Sequence, residues 1–391
     1  MSPLLLQTIT SFCVTLTAIY LLARVAPSIG IVDRPDGRKR HRGEVPLVGG
    51  LAIFTSLCVG AVLWGVENET MILVNGNDAL WVFMLGGAVL VVTGTLDDRF
   101  HLGVFLRVLS EVAAAIIIIE GLDLRVGALG DLLGTGVIRL APEVAYPFTV
   151  IAIFGVINAF NMLDGMDGEL AGLVLFSMAT FYLFTGTAPG FVSLFVGTSL
   201  LAFLVSNLKL TPIVPKTFLG DAGSKLLGFI MVCLILAASS QQIGGVKLIN
   251  PVTALFVVAL PLFDMTYTTL RRVIRGENPV RADRTHIHHL LNDLGFSPRR
   301  SLVIILFIAL SLQMLGLMLH RAQASEFHQL AIFLGCFVFY SFISNQSWLI
   351  ARRLQTSVNA LNVSFQDTIP INEEAEIKHW SRSSVSSKKH K

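Results

Sequence analysis

The sequence predicts an all-α polytopic membrane protein, a bundle of about eleven transmembrane helices. Three observations predict it. Only 14% of the residues are charged while 53% are hydrophobic, far from the balance of a soluble domain. Apolar stretches of the roughly 20 residues needed to cross a bilayer core of about 30 Å recur from end to end. Lys and Arg, finally, are segregated into alternate loops.

Hydropathy places spans at 4–23, 46–66, 79–96, 103–120, 144–161, 171–186, 190–206, 225–239, 250–269, 301–319 and 329–350. The first span has no basic segment before it and no small-residue cleavage site after it, so it reads as a permanent helix and not a secretory signal. The segment 121–143, with Gly127, Gly130, Gly134 and Gly136 between short apolar runs, predicts a small hairpin. Cys13, Cys58, Cys233 and Cys336 all fall in apolar stretches and read as small buried hydrophobes without a disulfide framework. Residues 1–353 form the transmembrane domain, and 354–391, polar and Ser-rich, predict a disordered tail.

An odd number of spans puts the termini on opposite sides. One set of loops carries 20 Lys and Arg, among them Arg38, Lys39, Arg40, Arg42, Arg271, Arg272, Arg284, Arg299 and Arg300, against 4 in the other set. The rich set is therefore cytoplasmic, which places the amino terminus outside and the carboxyl terminus inside.

Charges are costly in a membrane unless they pair or line a wet cavity, so their positions mark function. The polar clusters all map to the cytoplasmic face. Asp97 and Asp98 end the third span, and adjacent carboxylates call for a cation between them. A hard ion such as Mg2+ takes one or two carboxylates and keeps positions for phosphate oxygens. The stretch Asn158-Ala-Phe-Asn161-Met-Leu-Asp164-Gly165-Met-Asp167-Gly168 follows the fifth span, and its Gly residues permit close backbone approach. Phe218-Leu-Gly220-Asp221-Ala-Gly223-Ser224-Lys225 leads into the eighth span, where Asp221 or Ser224 can cap a helix. The loop 270–300 combines Arg271, Arg272, Arg275, Arg281 and Arg284 with His286, His288 and His289, a set suited to phosphate or diphosphate, with a metal site on the histidines as the competing reading. Carboxylates for a metal and cations for phosphates at one face describe phosphoryl transfer.

These motifs resemble the polyprenyl-phosphate N-acetylhexosamine-1-phosphate transferases. The resemblance covers residues 1 to about 350 and rests on Asp97-Asp98, Asn158–Gly168, Phe218–Ser224 and Asp283-Arg284-Thr285-His286-Ile287-His288-His289. The His-Ile-His-His form is similar to the bacterial undecaprenyl-phosphate GlcNAc-1-phosphate branch, not the MurNAc-pentapeptide branch. The resemblance implies a helical bundle with a cytoplasmic active-site cleft, often dimeric, in a bacterial inner membrane, and a broken ninth span for which Pro261 offers the break.

It further implies a Mg2+-dependent transfer, with Mn2+ as substitute, of a sugar 1-phosphate from a UDP-N-acetylhexosamine to polyprenyl phosphate, without a nucleic-acid partner. Asp97, Asp98 and Asp221 would hold the metal. Asn161, Asp164 and Asp167 would contact nucleotide or metal; Arg284, His288 and His289 would meet phosphate oxygens, with His286 close by; Lys39, Arg40 and His41 would help hold UDP, and Asn207 would join the substrate site. Two departures stand out: His101 occupies the position where the GlcNAc branch commonly has a third acid, and Glu111 lies inside the fourth span, to face the cleft or pair with Arg107 one turn earlier. A transporter or a scaffold is the reading from another class, but transporters tend to hold coupling charges at the midplane of repeated halves.

Overall fold

Backbone groups in hydrocarbon find no water, so each apolar stretch closes its hydrogen bonds within itself as a helix. The computed structural model describes residues 2–35, 43–64, 77–240, 242–243, 246–278 and 285–368. The chain falls into two compact units, Met1–Phe342 and Ile343–Lys391. The first holds every polar motif described below.

In chain order the helices are α1 Pro3–Ile29, α2 Gly49–Trp64, α3 Asn77–Phe100, α4 Val104–Leu122, α5 Pro142–Met162, α6 Glu169–Thr185, α7 Phe191–Asn207, α8 Gly220–Ser240, α9 Pro251–Val257, α10 Ala259–Ile274, α11 Ile287–Asp293, α12 Pro298–Arg321 and α13 Glu326–Thr368. Among the described residues three antiparallel strand pairs interrupt them: β1 Val32–Asp33 with β2 Val45–Pro46, β3 Ala128–Gly130 with β4 Ile138–Arg139, and β5 Gln242–Ile243 with β6 Val246–Lys247. The second is the hairpin expected in 121–143. Among the described residues six helices are long and apolar enough to cross a membrane, or seven if the bent α9–α10 pair is one span; α2, α6 and α7 are shorter apolar helices. The chain is thus a helical, polytopic membrane protein.

Two features depart from expectation. The ninth span does break, with a bend of 87°, but at Val258 and not at Pro261. Pro261 still has a part in it: lacking an N–H, it cannot bond the carbonyl four residues back, that of Val257. That carbonyl instead accepts from Ser177 Oγ at 3.0 Å and Gln313 Nε2 at 3.1 Å. The second departure is α13, which continues to Thr368, so the segment expected to be disordered from 354 begins as helix; 369–391 lie outside the described residues.

The centre of the bundle is α8. Every residue from Ala222 to Ser239 is buried, and α2, α3, α5 and α6 pack around it. Its first turn is gripped by glycines. A Cβ on Gly50 of α2 would stand 2.2 Å from the Gly223 nitrogen, and one on Gly94 of α3 would stand 2.5 Å from the Ala222 Cα. Small residues of this kind let backbones touch where lipid supplies no hydrophobic drive for association. The loop before α8 is fixed in the same region, because the carbonyls of Phe218 and Leu219 accept from Gly49 and Gly50 N–H at 2.9 and 3.0 Å, satisfying donors that the first turn of α2 leaves open.

Candidate active site

The grip on α8 brings its first turn against the end of α3. Asp98 Oδ1 accepts the Asp221 N–H at 3.0 Å, with the Ala222 N–H as a further donor. A carboxylate from another helix therefore caps α8, at the end where the helix dipole favours negative charge. Gly220 makes room for it: its φ is +70°, and a Cβ there would lie 2.4 Å from Asp98 Oδ2. The Asp221 side chain in turn lies close to the Asp97 carboxyl.

Asp97 has the opposite surroundings. It is buried, and its Oδ2 lies 3.6 Å from Arg107 Nε and 3.8 Å from Lys225 Nζ. Lys225 sits on α8 with its side chain 2% exposed, also 3.4 Å from Glu111 Oε1 and 3.7 Å from Asp221 Oδ2. Glu111 thus pairs across helices with Lys225, and Arg107, one of the two alternatives for it, reaches Asp97. The second oxygen of Glu111 accepts from Asn158 Nδ2 at 2.5 Å.

From α5 and the turn after it come the remaining carboxylates. Asn161 Oδ1 accepts from Ser224 Oγ at 2.6 Å, tying α5 to the first turn of α8. Asp164 lies within electrostatic reach of Asp98 and Asp221; enclosure by the protein, then the charges of Glu169, Asp221 and Asp98, push its carboxyl up to about 8. Asp167 pairs with Lys216 at 2.6 Å. Asn207 accepts from the Gly168 N–H at 2.7 Å and donates to the Thr217 carbonyl at 3.0 Å, so its amide clamps this turn to the loop before α8.

The histidine motif closes over the same turn. A Cβ on Gly165 would fall 2.2 Å from His288 Cε1 and Nε2, so the glycine is what lets the ring lie on the backbone. Behind each of two imidazoles stands a buried carboxylate. His286 Nδ1 is 2.6 Å from Asp264 Oδ2, and Asp264 Oδ1 accepts from Ile287 N–H at 2.9 Å and Tyr340 OH at 2.7 Å. His288 Nδ1 faces Glu169 Oε2 at 3.4 Å. Burial opposes charge on His288, but Glu169 outweighs it, aided by Asp264 and Asp164, and holds the imidazole above its usual range. His289 packs beside His288 with ring centroids 4.3 Å apart.

The structure therefore brings together Asp97, Asp98 and Asp221, sets Asp164 beside them, and links Asp164 to His288. Asp167 and Asn207 stand at the neighbouring loop. Lys39, Arg40, His41 and Arg284 lie outside the described residues. Lys225, Glu169, Asp264 and Tyr340 are the contributors that the motifs did not single out. For a divalent cation the donor set is suitable: hard oxygens, with Asp98 Oδ2 enclosed and lacking a hydrogen-bond partner. Among the described residues no group of three or more His, Cys, Asp or Glu is arranged to hold a metal by itself.

Comparison with known proteins shows the family. Residues 80–239, which contain Asp97, Asp98, Asn158–Gly168 and Asp221, match the family described as glycosyl transferase family 4. The chain is 35% identical to the undecaprenyl-phosphate alpha-N-acetylglucosaminyl 1-phosphate transferase of Salmonella typhi, over 88% of this chain and 92% of that protein. It is 33% identical to the protein of the same name from Escherichia coli strain K12, with the same coverage. With the one from Haemophilus influenzae it shares 32%, over 89% of this chain and 96% of the relative. On the site's geometry and on similarity that runs almost end to end, this chain belongs to glycosyl transferase family 4, alongside these sugar-1-phosphate transferases.

Proposed function

We propose that this protein transfers N-acetylglucosamine 1-phosphate from UDP-GlcNAc to undecaprenyl phosphate, forming undecaprenyl diphosphate-GlcNAc and UMP, the initiating step of a lipid-linked cell-surface glycan. The observation that carries this reading is the meeting of Asp98 and Asp221 from α3 and α8, with Asp164 and the buried-carboxylate-backed His288 beside them. The names of the three relatives support undecaprenyl phosphate as the acceptor and N-acetylglucosaminyl 1-phosphate as the group transferred. In this reading the apolar segments make eleven spans, residues 1–353 form the catalytic domain with 354–391 as a tail, and the site opens to the cytoplasm of a bacterial inner membrane, with the amino terminus in the periplasm.

A phosphate oxygen of the carrier attacks the sugar-proximal phosphorus; the bond from that phosphorus to the bridging oxygen breaks and UMP leaves. The nucleophile is already an anion near neutral pH, so its main obstacle is repulsion by a second anion. Asp98 and Asp221, with Asp97 behind them, would hold Mg2+ or Mn2+. A divalent ion there supplies charge neutralisation at the bridging diphosphate. His288, whose charged form Glu169 favours, and His289 donate to phosphate oxygens, and His286 is fixed in orientation by Asp264. Asp167 and Lys216 flank the nucleotide side; Lys39, Arg40 and His41 would help hold UDP, and Arg284 would meet phosphate oxygens. The carrier's isoprenoid stays in the bilayer while its phosphate meets the helix ends.

The test is incubation of the purified protein with radiolabelled UDP-GlcNAc, undecaprenyl phosphate and Mg2+. Labelled lipid with release of UMP, abolished by a chelator, is expected. Uptake of label into vesicles without lipid product or UMP would favour a transporter. A panel of UDP-N-acetylhexosamines in the same assay fixes the sugar, since epimers differ by one hydroxyl contact.

A further inference from the structure

The reaction itself leaves Lys225 of the cluster unexplained. Its side chain is 2% exposed, so it reaches neither a nucleotide nor a carrier phosphate. Its ammonium nevertheless stands within ion-pair distance of carboxylates from three helices: Glu111 of α4 at 3.4 Å, Asp221 of α8 at 3.7 Å and Asp97 of α3 at 3.8 Å. A lysine buried this deeply is retained only where its charge is compensated. Glu111, likewise 2% exposed and steadied by Asn158, provides that compensation from behind. The pair is close to neutral as a whole, but it is oriented, with the positive end toward Asp97 and Asp221. Arg107 adds a second cation near Asp97, from a side chain 38% exposed and so better screened by water. Among the described residues no Lys or Arg forms an ion pair with Asp98, so the compensated side of the cluster is that of Asp97.

We propose that Lys225 is a built-in counter-ion of the carboxylate cluster, a positioning residue whose fixed charge lets Asp97 and Asp221 pack together before a divalent cation arrives and sets how tightly that cation is held. This rests on the reading that the cluster takes a divalent cation. Without the ammonium, the approach of Asp97 to Asp221 would need a shared proton or a bound metal. With it, the apoprotein keeps its geometry, and the incoming ion meets a site whose negative charge is partly spent.

The full chain, purified in detergent, tests this with Mn2+ as the probe, free ion being counted by electron paramagnetic resonance and unfolding followed thermally. Lys225→Met is expected to lower the unfolding temperature without cation, with the gap narrowing at saturating Mn2+, and to tighten Mn2+ binding about fivefold or more. The double variant Glu111→Gln with Lys225→Met removes both members of the buried pair together, so neither is left without the other, and it is also expected to bind Mn2+ more tightly. Lys225→Arg, which keeps the charge, should stay near wild type. Affinity in the double variant within about twofold of wild type would overturn the role of Lys225 while leaving the cation site standing. Failure of the double variant to fold would overturn it too, because packing would then be the residue's task. Absence of Mn2+ binding to the wild type would remove both readings together.

Discussion

The Asp98 carboxylate caps a helix that is not its own: Oδ1 accepts the Asp221 N–H at 3.0 Å, so the end of α3 and the start of α8 are one structural joint. Asp98→Asn keeps an oxygen to accept that bond but loses the charge. It is expected to leave a folded, membrane-inserted protein whose transfer rate falls about 100-fold or more, measured by labelled lipid formation beside circular dichroism. Full activity would remove Asp98 from the catalytic set. Gly220→Ala tests the same joint from the other side. At φ +70° a Cβ destabilises by about 1–2 kcal/mol and also displaces Asp98, so both unfolding temperature and turnover should drop.

A proton on Asp164 gives the cation-free protein a pH dependence. The group's folded value of about 8 lies above its ordinary value of 3.8, so its contribution to stability is fully present below 3.8 and is lost as pH rises through about 8. His288, also held above its usual range, acts in the same direction. Thermal unfolding in chelator should therefore occur at progressively lower temperature from pH 5 to pH 9, and Asp164→Asn should flatten much of that slope. Cation binding should release a proton and tighten with pH until about 8. A slope unchanged in Asp164→Asn would contradict the assignment.

Asp264 fixes the orientation of the histidine motif through three bonds, to His286, Ile287 and Tyr340. Asp264→Asn preserves shape and removes the charge facing His286. Turnover is expected to fall about tenfold or more, with a change in the nitrogen chemical shifts of the His286 ring. Tyr340→Phe removes one donor of three and should cost about 1 kcal/mol of stability with a smaller effect on rate. Unchanged His286 shifts in Asp264→Asn would show that the contact does not set the ring's state.

Gly165→Ala addresses close packing without touching any charge. The added carbon would stand 2.2 Å from His288, so the ring must swing away from the turn that carries Asp164. Displacement of about 1 Å is enough for a loss of about 100-fold in turnover, with little change in unfolding temperature expected. Wild-type kinetics would mean that His288 need not lie on the turn.

The helices and most of the polar site were legible in the sequence because membrane crossing demands long apolar runs, and Asp97, Asp98, Asp164, Asp221 and His288 stand out where those runs end. Lys225 and Glu169 were not, although both lie in plain view. One reads as a topogenic charge at a helix start and the other as an acid in a first turn, and only tertiary pairing gives them partners. Asp264 lies within a span beside Pro261, which drew attention to the backbone instead of the carboxylate. Glu111 was recognisable as odd, but its partner comes from another helix, beyond the reach of spacing along its own. The break at Val258 escaped for a similar reason: proline marks a lost bond at Val257, while the side chains that make the loss tolerable, Ser177 and Gln313, come from α6 and α12.

The sheathed position of α8 bears on how the molecule is made. A helix enclosed on all sides cannot be added to the outside of a finished bundle; the earlier helices α2, α3 and α5 must leave a slot and close on it during biogenesis. The slot is lined where Gly50 and Gly94 meet α8, so enlarging either residue would be felt first in the yield of inserted protein, as quality-control proteases remove chains that never close, and only afterwards in the kinetics of survivors.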